Sequence, residues 1–115
     1  MLGQLRYFPT SLVGAPPGPP PGTRVALAAP WPSPARRQTV RFRADLAEAA
    51  RADLDIVDVR GRSVRKAYGG ILPAGASVLS WDGRSETGLP APAGIYYARL
   101  STPLGNATQV IVWLR

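Results

Sequence analysis

Residues 81 to 100 read WDGRSETGLPAPAGIYYARL, and this stretch decides the fold. A strand ends in Trp81 and runs into Asp82-Gly83; a polar connection follows, and Gly94 opens a second strand carrying Tyr96 and Tyr97. Two strands joined by glycine and proline punctuation are a β signature, not a helical one. Gly83, Gly88 and Gly94 permit the turns, because glycine reaches backbone conformations closed to other residues. Alternation places Trp81 and Tyr96 inward and leaves Tyr97 to face out.

Toward the C-terminus, Tyr96, Ala98 and Leu100 share one face of a strand from Gly94 to Ser101, and Ile95, Tyr97 and Arg99 share the other. After Pro103 to Asn106 a last strand is expected from about Ala107 to Leu114. It is apolar on both faces, which marks a strand that is central or covered by a partner and leaves its inward side open. Toward the N-terminus, Ser77, Leu79 and Trp81 share a face, and Val40 and Phe42 alternate with Thr39, Arg41 and Arg43. Between these, Leu46 to Arg51 (LAEAAR) reads as a turn or a short 3₁₀ piece. Ala52 to Val59 sets Leu54 and Ile56 against Asp53 and Asp55, and Arg60-Gly61-Arg62 supplies a hairpin turn. Ser63 to Tyr68 returns with Val64 inward, Gly69-Gly70 release the chain, Ile71-Leu72 pack, and Pro73-Ala74-Gly75 turn it again.

Six or seven short strands at this spacing predict an all-β, antiparallel sandwich. Its core is expected to hold Phe42, Leu54, Ile56, Leu79, Trp81, Tyr96 and Leu100. The sandwich is expected to span residues 31–115, with Trp31 either covering one end or standing exposed. Residues 1–30 read as a proline- and glycine-rich segment and linker with one short strand near 24–29. Nine of the 13 prolines fall between residues 9 and 35, where the missing amide donors and fixed φ exclude helix and central strand.

Composition narrows the chemistry. The 115 residues include no histidine and no cysteine. The commonest general base, the usual catalytic triads, thiolate metal sites and disulfides are therefore all absent. Net charge is +7, carried by arginines scattered from Arg6 to Arg115 without the interleaved aromatics of a nucleic-acid surface. No stretch approaches the apolar length that spans a bilayer. The first residues lack the basic start and unbroken apolar run of a signal peptide, since Arg6 and Pro9 interrupt them.

Candidate sites are few. Asp82, Ser85 and Glu86 carry oxygens suited to a hard cation such as Ca²⁺, but two carboxylates in a glycine-bearing loop are a poor ligand count. Asp82 and Glu86 are the only metal candidates, and the expectation is no metal, no cofactor and no catalytic residue. As a general acid and base the same two lack a histidine or other third group. Trp81, Tyr96 and Tyr97 suggest a sugar-stacking platform, yet two of the three point inward. Asp53, Asp55 and Asp58 face Arg60, Arg62, Arg65 and Lys66 across the hairpin as a charge-paired, solvated ribbon.

The succession of motifs resembles a known group of domains. Pro32-Ser33-Pro34 precedes a TVRF strand; LDIVDVRGRSVRK, LPAG, WDGRSETG and AGIYYARL follow, and a basic residue ends the chain. Together these resemble the FlgD-type Ig-like domain and the type IX secretion C-terminal sorting-domain families. The motif positions are Pro32, Pro34, Gly61, Arg62, Gly75, Trp81, Asp82, Gly83, Gly88, Gly94 and Tyr96. Ser33 stands where the pattern has Asn, Val57 where Tyr or Phe is common, and Glu86 where it has a second Asp. The resemblance implies an Ig-like fold without catalysis. One branch comprises C-terminal modules that target or anchor larger exported bacterial proteins, partnered by secretion machinery or by an upstream domain. The other is the scaffold of a flagellar hook-capping protein. On the first reading the chain is the tail of a longer precursor that is secreted or held at the cell surface, and its exposed edge strands offer a route to self-association.

Overall fold

A computed structural model of the chain describes residues 23–36 and 38–114. The proline run from Pro16 to Gly22 lies outside the described residues. Period-two alternation carries most of the architecture, because each strand buries one side chain in two. The strands are β1 (Val25–Leu27), β2 (Ala35–Arg36), β3 (Val40–Leu46), β4 (Ala50–Asp58), β5 (Ser63–Leu72), β6 (Gly75–Trp81), β7 (Gly94–Thr102) and β8 (Gly105–Leu114). They form a three-stranded sheet in the order β1-β3-β6 and a five-stranded sheet in the order β2-β8-β7-β4-β5. Val40, Phe42, Ala44 and Leu46 of β3, with Leu79 and Trp81 of β6, face Leu54 and Ile56 of β4, Tyr96 and Leu100 of β7, and Ile111 and Trp113 of β8 in one buried cluster. The all-β sandwich and all seven expected core residues are present.

Several expectations change. Among the described residues there are eight strands, and β2 pairs with β8 in parallel, whereas the other pairings between them are antiparallel. The strand expected near 24–29 is β1, paired with β3, so the sandwich draws on residues ahead of Trp31. Trp31 is 37% exposed and bridges Arg41 through its backbone. Pro32 and Pro34, each preceded by a cis peptide bond, lead into β2. LAEAAR holds no helical turn: Leu46 ends β3, Ala50 and Arg51 open β4, and only bends lie between.

Gly69 and Gly70 do not release the chain but lie within β5, which runs on to Leu72. Gly69 stands opposite Asp53, and a Cβ there would crowd Lys66 Cε at 3.1 Å and Asp53 Oδ1 at 3.2 Å. The missing side chain leaves room for the Lys66 Nζ to Asp53 ion pair of 2.9 Å. Ile71, expected to pack, is 66% exposed, and Leu72 alone turns inward. Two register shifts in the β4 and β5 pairing leave Val64 and Ala67 as extra residues on β5, and both lean on the core. Bulges of this kind bend and twist an edge strand.

Candidate functional site

The connection between β6 and β7 holds the most distinctive residues, and it is folded down onto the sandwich. Beneath it Trp81, Tyr96 and Trp113 form one aromatic cluster. Trp81 lies 5.5 Å from Tyr96 and 5.3 Å from Trp113 between ring centroids, both pairs tilted, as the ring quadrupoles prefer. Each ring turns its polar end to a loop carbonyl. Trp81 Nε1 donates to Arg84 O at 2.9 Å, Trp113 Nε1 to Ala91 O at 3.1 Å, and the Tyr96 hydroxyl to Pro92 O at 2.5 Å. The loop closes on itself as well: Ala91 N donates to Gly83 O and Ser85 N to Leu89 O, both at 2.8 Å. Gly83 stands at φ +79°, and a Cβ on it would run into the indole of Trp113.

The candidate carboxylates are engaged in the same construction. Asp82 Oδ1 accepts from Arg84 N at 3.0 Å and lies 3.8 Å from Arg65 Nη1. Glu86 reaches the edge of β5: its own N–H donates to Val64 O at 3.0 Å, and its Oε2 accepts from Lys66 N at 2.8 Å. Ser85 Oγ is bonded to Thr87 Oγ1 at 2.8 Å. Among the described residues no three acidic groups gather in a way that could hold a metal ion. Asp82 and Glu86 stand in a turn clamp and a strand cap, surrounded by donors rather than converging on a shared point.

Gly61 turns the hairpin at φ +83°. There Asp58 Oδ1 accepts from the amides of Arg60 and Arg62 at 2.9 and 3.0 Å, and Arg62 Nε lies 3.4 Å from Asp58 Oδ2. The Arg62 amide, helped by that of Arg60, holds the Asp58 carboxyl below the ordinary aspartate range. Asp53 is likewise lowered, first by Lys66 and then by Arg51. Arg65, expected in this ribbon, turns instead to Asp82. Gly75 opens β6, Gly88 closes the loop through its amide to Ser85 O at 2.9 Å, and Gly94 opens β7.

Burial, with a smaller contribution from nearby Asp58, pushes the Tyr96 hydroxyl above the ordinary tyrosine value. The folded chain therefore holds this proton more firmly than the unfolded chain. The stability this contributes is full below about pH 10 and is lost as pH rises through the raised value. Tyr96→Phe is expected to cost about 1 to 2 kcal/mol, since it orphans the Pro92 carbonyl, and to flatten the alkaline loss of stability relative to the parent. Urea midpoints of the two proteins between pH 8 and 11 check both; parallel alkaline slopes would sink the assignment.

A second feature joins residues that the sequence reading had turned outward only singly. On the outer face of the five-stranded sheet, Tyr97 stands in register with Val57 and Val110, and Ile95 with Val112. Ile95 is 39% and Val110 48% exposed. Beyond it that face carries the charges of Arg51, Asp53, Asp55, Lys66 and Arg99 together with Ile71, Ser101 and Thr108. The two apolar faces of β8 are thus explained: Ile111 and Trp113 enter the core, while Val110 and Val112 form half of an outer apolar patch. The signal was present in the pairing of alternations between β7 and β8, which requires the register to be known.

A two-sheet all-β sandwich, with a buried tyrosine at the start of β7 bonding back to a carbonyl four residues upstream, defines an Ig-like domain. The FlgD Ig-like domain family model matches residues 34–105, more than half of the chain, and the chain belongs to that family. No curated protein matches it significantly.

Proposed function

We propose that this chain is a non-catalytic Ig-like scaffold module that packs against protein neighbours in a larger bacterial assembly, through the outer face of its five-stranded sheet. The observation that carries the reading is the patch of Ile95, Tyr97, Val110 and Val112, which the fold leaves on the outer face, with Val57 buried beneath it at 6% exposure. An apolar area on one face of a small domain, bordered by charge, is the composition of a protein contact. The family match supports a scaffold role of the flagellar hook-capping type. Lack of histidine and cysteine, with Asp82 and Glu86 already bonded to the module itself, supports the absence of catalysis.

The second reading is a sorting or anchoring module of an exported, surface-bound protein, and the proline-rich segment ahead of the sandwich favours it. Those motif residues are largely occupied by folding: Trp81, Gly83 and Tyr96 hold the loop, and Gly61 and Arg62 the hairpin. A sugar-binding role has Tyr97 as its outward aromatic on this face, with aliphatic neighbours in place of a second ring.

A photo-crosslinking residue at Val110, compared in the producing cell with one at Arg41 on the opposite sheet, separates these readings. Protein adducts are expected from position 110 alone. Adducts to hook components support the assembly reading and adducts to a secretion apparatus the sorting reading; equal yield from both positions, or none, would overturn the proposed face.

A further inference from the structure

A sandwich of two open sheets has four edges, and unpaired edge strands are templates for pairing with another chain unless something blocks them. Three edges here are blocked. β1 is three residues long, and its Leu27 carbonyl accepts from Gln109 Nε2 at 2.7 Å. β2 is two residues long and follows Pro32 and Pro34. β5 is capped by Glu86 at Val64 and Lys66, and further along the Tyr68 hydroxyl donates to the Ile71 carbonyl at 3.2 Å.

β6 has none of these devices. It is seven residues long, GASVLSW, with no proline and no charged side chain. It pairs with β3 on one side only. Among the described residues no group outside β3 hydrogen-bonds the main chain of 76–80. Its outward side chains are Ala76, Val78 and Ser80, small or β-branched, and Val78 is 62% exposed. The nearest charges on that face, Arg41, Arg43 and Asp45, belong to β3, one strand further in.

We infer that β6 is a self-pairing edge, through which two copies of this chain join antiparallel about Val78. The position follows from the strand itself, for Val78 is the midpoint of Gly75–Trp81. A two-fold axis there sets Val78 against its own copy and Ala76 against Ser80 on the outer face, with Ser77 against Leu79 on the inner. No like charges meet on the paired strands, as an isologous contact requires. The occupant is a second copy because in this centred register the uncharged strand brings no charge against itself and sets the small Ala76 and Ser80 beside the two opposed valines. A single added strand buries little area, so the association is weak and concentration-dependent.

Sedimentation of the whole chain from micromolar to millimolar concentration tests this. The parent is expected to move from monomer to dimer. Val78→Lys, an exposed substitution that sets like charges opposite each other, is expected to remain monomeric throughout, with a slightly lowered melting temperature because Arg43 stands opposite it on β3. Val78→Glu, which meets Arg43 favourably and so keeps the parent's melting temperature or better, is expected to stay monomeric too, and an equimolar mixture of the two to restore the dimer. In this cysteine-free chain, Val78→Cys is expected to form an intermolecular disulfide on mild oxidation, because directly opposed strand residues fall within bridging distance. Ile71→Cys, equally exposed on β5, is expected to form none. A parent that stays monomeric, a dimer indifferent to Val78→Lys, a mixture that fails to pair, or equal bridging at 71 and 78 would each overturn the inference, the first leaving the edge to a foreign strand.

Discussion

Gly83→Ala is expected to lower the stability of the sandwich by on the order of 3 kcal/mol, which for a domain of this size is a fall of roughly 12 to 24 °C in melting temperature. Two costs act together. At φ +79° an alanine is strained whatever surrounds it. The added methyl also points into the Trp113 indole, which is held by its contact with Trp81 and its bond to the Ala91 carbonyl. No other described glycine meets an atom so close. Gly61→Ala is the control: its φ is +83°, but nothing lies within 4 Å, so only the backbone cost of about 1 kcal/mol remains. Thermal melts of both variants separate strain from collision. Equal losses would mean that the indole gives way freely and that the neck of the loop is not fixed by packing.

The second large effect is expected at Trp81, the ring that touches both Tyr96 and Trp113. Trp81→Ala removes a side chain only 2% exposed, for a cost of about 4 kcal/mol. That is comparable with the whole stability of a domain near the lower size for a self-sufficient core. Near-ultraviolet circular dichroism, which reports fixed aromatic packing, is expected to collapse in this variant at room temperature. Trp81→Phe keeps most of the volume but leaves the Arg84 carbonyl without its donor, and falls between the two. A Trp81→Ala protein that melts within about 1 kcal/mol of the parent would show that the loop is held by its own hydrogen bonds and not by the cluster below.

What could be read from residues alone followed from periodicity. Val40 and Phe42, Leu54 and Ile56, and Tyr96, Ala98 and Leu100 lie in the core because alternation is a local property. Failures arose where a neighbour in space decided the outcome. Gly69 and Gly70 resemble a chain release until Asp53 and Lys66 are seen to need the room beside Gly69. Val112 and Trp113 are both apolar, and only pairing with Ile95 and Gly94 shows which faces out. The loop was legible as a sandwich corner. Its strap of three ring-to-carbonyl bonds was not, because carbonyl direction has no trace in side-chain identity.

The parallel pairing of β2 with β8 also bears on how the chain finds its shape in time. Ala35 lies opposite Trp113, so that contact must close nearly the whole length of the sandwich, at an entropic cost on the order of 4 kcal/mol before any bond repays it. The hairpins of β4 with β5 and of β7 with β8 close over a few residues and have no such toll. Search is therefore expected to begin in two local ribbons and to end when the short strap of β2 is laid along β8. This places the domain among the slow, millisecond-to-second folders whose rate is set by topology rather than by stability.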